Sequence, residues 1–115
     1  MTQSIKIDKQ GSNAILRFQD TKNLDANNAH RIKGEVRGIL DPGIKNLLID
    51  LGTIHFVDST GFGALIAILK TMKSQGGKLI LFNVSNELEE LMDLMQLLTV
   101  FEVKPTEKEA LASLN

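Results

Sequence analysis

The amino-acid sequence predicts an α/β domain built on a mixed sheet of about five strands with about four helices. Three observations predict it. Segments with apolar residues at helical spacing alternate with short β-rich runs, and two of those runs are almost continuously apolar. The 115 residues, 43% of them hydrophobic, also supply one core and not two, so a single domain is expected over 1–115.

Taken in chain order, Ile5 and Ile7 alternate with polar neighbours, and Ala14 to Phe18 repeats an apolar, β-branched pattern after Gln10-Gly11-Ser12. That spacing predicts a hairpin at the edge of a sheet. From Asp25 the period becomes helical through Ala26, Ala29, Ile32, Val36, Ile39 and Leu40, with Asp25 as the cap and Asp41-Pro42-Gly43 as the stop. Leu47-Leu48-Ile49-Asp50-Leu51 and Leu79-Ile80-Leu81-Phe82 read as central strands covered on both faces. Between them Phe62, Leu65, Ile66, Leu69 and Met72 predict a helix packed on the sheet, ended by Gly76-Gly77. A third helix is expected from about Asn86, with Glu89 completing a capping box and Leu88, Leu91, Met92 and Met95 as core filler. Val100 to Val103 is expected as a last strand, and Thr106 with Glu109 opens a terminal helix through Ala110, Leu111 and Leu114.

Thirteen basic and fourteen acidic residues leave a net charge of −1, spread without blocks, which removes the footprint that direct nucleic-acid binding needs. The absence of cysteine excludes disulfides, thiolate zinc sites and a cysteine nucleophile. No secretory h-region and no apolar run long enough to span a membrane is found, so a cytoplasmic protein is expected. Two histidines, His30 and His55, stand on separate predicted elements, and no motif links them as metal ligands. Asp50 and Asp58 lack a third catalytic group, and no base is placed to activate a serine. Neither an enzyme nor a cofactor is expected. Glu87, Glu89, Glu90 and Asp93 make the outer face of the third helix acidic and solvated.

What remains is Phe56-Val57-Asp58-Ser59-Thr60-Gly61-Phe62-Gly63-Ala64. Asp58 or Ser59 is expected to cap the second helix. Two glycines in its first turn each cost roughly 0.5–1 kcal/mol relative to alanine, which points to a helix start left bare for the approach of another backbone. On that basis a bulky residue at Gly61 or Gly63 should weaken a complex and leave melting nearly unchanged. Ala64, Ala67 and Ile68 are expected off the core stripe, forming an apolar patch beside Ser59.

These residues, with Leu24-Asp25, the Leu47–Leu51 strand and Gly76-Gly77-Lys78-Leu79, resemble the STAS domain family of bacterial anti-sigma factor antagonists over essentially the whole chain. The resemblance implies partner switching. A serine kinase that doubles as the anti-sigma factor phosphorylates the antagonist, a PP2C-type phosphatase reverses this, and only the unphosphorylated form binds the kinase and frees the sigma factor. Carried onto this chain, Ser59 is the phosphate acceptor. Asp25, Asp58, Thr60, Gly61, Gly63 and Ala64 join it in the partner-binding surface. The chain departs from the family pattern at Thr21-Lys22-Asn23, where an acidic residue after a glycine is common, and at Thr60, where serine is frequent. The alternative that the wider family offers is an unphosphorylated scaffold, or a subunit of a larger signalling or lipid-transport assembly.

Overall fold

In the computed structural model, which describes residues 4–114, the chain opens with an antiparallel hairpin of β1 (Ile5–Gln10) and β2 (Asn13–Phe18). The two-residue connection is possible because Gly11 adopts a φ of 63°, which most side chains resist. β2 then pairs in parallel with β4 (Asn46–Asp50), β4 with β6 (Lys78–Phe82), and β6 with β7 (Glu102–Lys104). The five strands lie in the order β1-β2-β4-β6-β7, so β1 forms one edge and the two continuously apolar strands lie inside. A separate parallel pair, β3 (Asn23–Leu24) with β5 (Phe56–Val57), stands apart from this sheet.

Strand pleating explains why the central strands are apolar without a break. Successive side chains point to opposite faces. Ala14, Leu16, Leu47, Ile49, Leu79 and Leu81 join the larger core under α1 (Ala29–Ile39), α2 (Ser59–Ser74) and α3 (Asn86–Leu94). Ile15, Leu48, Ile80 and Phe82 form a smaller cluster on the opposite face, closed by Ala110, Leu111 and Leu114 of α4 (Glu107–Ala112) and the residues just after it. Because α4 is only six residues long, a polar clamp supplements its few apolar contacts. Arg17 donates to Asp50 at 2.9 Å and to Glu107 at 2.6 Å. The bond to Glu107 and the neighbouring carboxylate charges raise the pKa of the guanidinium above its ordinary value.

Two expected boundaries move, and the cap of α3 shifts by one residue. The first helix starts at Ala29 with Asn28 as its cap residue, not at Asp25. The reason is the β3–β5 pair, which holds Asn23 and Leu24 extended, so the chain needs one turn to change direction. Asp25 makes that turn: its carbonyl accepts from the amides of Asn28 and Ala29, and its Oδ1 from Asn27. Ser85, not Asn86, caps α3 by accepting from Leu88 N at 3.1 Å. Met92 fills the core as expected, whereas Met95 lies beyond the helix and is exposed. The last strand begins at Glu102, because a 3₁₀ turn at Leu97–Thr99, entered through left-handed Gln96, takes up the preceding residues. The hydroxyl of Thr106 caps α4 by accepting from Glu109 N at 3.1 Å.

Candidate functional site

Asp58 organises the start of α2. As the residue just before the helix, it accepts the amide of Gly61 on Oδ1 at 2.9 Å and that of Phe62 on its carbonyl at 2.9 Å. Its other carboxylate oxygen accepts the amide of Ala26 at 3.3 Å, and its own amide donates to the Leu24 carbonyl at 3.1 Å. One side chain thereby caps the helix and fastens the Asp25 turn against it. Capping by Asp58 leaves Ser59 free of that duty. Ser59 is the first residue of α2, it is exposed, and Thr60 beside it is exposed as well. The amides of Ser59 and Thr60 have no partner among the described residues, so two free N–H groups and the positive end of the helix dipole lie at the end of α2 that carries Ser59.

The two glycines of the first turn prove to be different. Gly61 is buried, and a Cβ there would lie 2.3 Å from the Leu24 carbonyl oxygen and 2.8 Å from Val57 Cγ1. The backbone that approaches Gly61 is the protein's own strand β3, not a visitor. This corrects the expectation that replacing Gly61 would leave melting nearly unchanged. Gly63 is exposed and a Cβ there would meet nothing within 4 Å, so its bareness faces outward.

The apolar patch is also redrawn. Ala64 and Ile68 are buried, not off the core stripe, because α1 packs alongside α2 and widens its covered face. Ile66 and Ala67 are half-buried. The exposed apolar residue near Ser59 is instead Phe56, 51% exposed, in β5. The pleat explains it: in a two-residue strand, Val57 turned inward obliges Phe56 to turn outward. Asp25, Asp58, Ser59, Thr60 and Gly63 thus share the end of the domain where the β3–β5 pair meets α2. A polar cleft of about 570 Å³ lies nearby, lined in part by Thr21, Asn23, Asp25, Asn28 and Arg31. Neither Asp58 nor Ser59 lines it, and Ser59 is exposed outside it. No helix among the described residues is long and apolar enough to cross a membrane.

Comparison with known proteins agrees with this architecture. The STAS domain family matches residues 4–110. The anti-sigma-B factor antagonist of Listeria monocytogenes is 26% identical over 106 residues, covering 82% of this chain and 90% of the relative. An anti-sigma-factor antagonist (STAS) domain protein from Planctomyces limnophilus superposes with a TM-score of 0.83 at 21% identity, over 95% of this chain and 96% of that one. The Bacillus cell fate determinant SpoIIAA, solved in its phosphorylated form, superposes with a TM-score of 0.70 at 18% identity, over 96% of this chain and 99% of that one. At these identities the two structures speak for the fold alone.

Proposed function

The chain belongs to the STAS domain family, and we propose that it is an anti-sigma factor antagonist that works by partner switching through Ser59. In its unphosphorylated form it binds an anti-sigma factor serine kinase in the cytoplasm and frees a sigma factor. Phosphate on Ser59 blocks that binding until a PP2C-type phosphatase removes it. The observation that carries this reading is the exposed hydroxyl at the first position of α2, beside a cap already supplied by Asp58.

The physics of the switch follows from that placement. A phosphate adds about −1.5 to −2 charges at neutral pH. The host tolerates them, because unpartnered amides and the helix dipole favour an anion at this end. The carboxylate of Asp58 also keeps its bonds to Gly61 and Ala26 without help from Ser59, so the fold does not depend on the modification state. A partner pressed against Thr60 and Gly63 has no such compensation and must desolvate or repel the new charge. The chain itself needs no catalytic group, since the kinase and the phosphatase supply the chemistry.

Incubation of the purified chain with ATP and the serine kinase encoded nearest it in its genome, followed by peptide mass spectrometry, tests the assignment. The expected result is a single phosphate on the peptide containing Ser59 and none on Ser59→Ala. Phosphate confined to another residue contradicts the reading, and a chain that stays unmodified while co-purifying with a larger assembly favours the scaffold alternative.

A further inference from the structure

We infer that Phe56 is the apolar anchor of the surface that Ser59 gates, and that the partner covers it with a concave apolar socket; this rests on the partner-switching reading above. Four large apolar side chains stand substantially in water among the described residues. Leu94 and Met95 lie at the end of α3 and Val100 follows the 3₁₀ turn, whereas Phe56 alone lies on the β3–β5 pair, three residues before Ser59. Its 51% exposure contrasts with 1% for Val57 and 1% for Leu24. The inward residues of the pair carry the packing, so the fold gives no reason for an aromatic ring at the outward position.

The backbone that carries the ring is held in a fixed relation to that of Ser59. The main-chain bond from Asp58 to Leu24, the strand register Asn23 to Phe56 and Leu24 to Val57, and the Asp58 cap make β3, β5 and the first turn of α2 one braced unit. An anchor presented this way loses little freedom on binding. The register partner of Phe56 is Asn23, short and exposed, and Gly63 offers no side chain at all. A half-exposed ring on the outward side of the strand pair is buried most fully by a hollow in the partner. Buried aromatic anchors of this kind commonly carry much of an interface's affinity, whereas a charge placed beside them decides whether the contact forms.

The natural chain has neither tryptophan nor tyrosine, so Phe56→Trp places a sole tryptophan reporter at the position. In the free variant the emission is that of a solvent-exposed indole. Titration with the purified cognate kinase is expected to shift it to the blue, read as a difference against the parent complex. Phe56→Ala is expected to weaken kinase binding about tenfold or more in calorimetry at unchanged Tm, and Phe56→Leu to recover part of that loss. Emission that does not move at saturating kinase, or Phe56→Ala binding like the parent, overturns the inference. So does a blue shift of the variant alone as its concentration rises, which would assign Phe56 to a second copy of the chain. Ser59→Asp measured in parallel separates the two ideas. Loss of binding there with Phe56→Ala unaffected removes the anchor and leaves the switch, whereas full binding by Ser59→Asp removes the switch itself.

Discussion

Ser59→Asp is expected to weaken binding to the cognate kinase by about ten- to a thousandfold, whereas Ser59→Ala binds like the parent chain. The range follows from Coulomb's law: a unit-charge repulsion at about 4 Å is worth roughly 1–4 kcal/mol at effective dielectric constants of about 80 to 20, and every ~1.4 kcal/mol is tenfold. Neither substitution should disturb the fold, because the cap of α2 is the Asp58 carboxylate and the Ser59 side chain is exposed. Calorimetric titration of both variants, with their melting curves as controls, checks this. Equal affinities would show that charge at this position does not gate the interface. A salt series gives an independent check, since a repulsion exposed at the rim of an interface is screened as ionic strength rises.

The second large effect is on stability. Gly61→Ala should destabilise the domain by about 1–3 kcal/mol, because its Cβ would collide with backbone and β3 or α2 must move. The collision is with the Leu24 carbonyl at 2.3 Å, and no side-chain rotation relieves it. Gly63→Ala meets nothing within 4 Å and should stabilise, by up to about 1 kcal/mol, through better helix propensity. Denaturant unfolding of the two variants separates them. A neutral Gly61→Ala would mean that β3 is not seated against α2. With the fold intact, a bulkier residue at Gly63 should weaken the kinase complex, since that position opens outward.

The contrast between these glycines marks where the sequence stops being informative. Both stand in the same first turn and look identical in one dimension. What separates them is β3, a two-residue strand of Asn23 and Leu24 that pairs with Phe56 and Val57 across 33 positions. So short a pair has no periodicity of its own, and its hydrogen bonds are long-range, so nothing local announces it. The same pair displaced the start of α1 from Asp25 to Ala29. It also turned Phe56 outward, a residue that composition alone assigns to the core. Features with strong local causes were legible. The unbroken apolar runs of Leu47–Leu51 and Leu79–Phe82 indicated strands covered on both faces, and the face-by-face division of Leu47, Leu48 and Ile49 between two clusters gives the reason. The Thr106 cap was readable because a hydroxyl three residues before Glu109 satisfies an amide that water would otherwise have to serve. The width of the buried face of α2 was not, because it depends on α1 packing alongside, a tertiary contact that moves Ala64 and Ile68 into the core.

The most direct test of the account compares the enzymatically phosphorylated chain with the unmodified chain in titrations against the same kinase preparation. The account predicts tight binding by the unmodified chain, at least about a hundredfold weaker binding by the phosphorylated one, and recovery after phosphatase treatment. Indistinguishable affinities for the two forms, with the phosphate verified on Ser59, would contradict it.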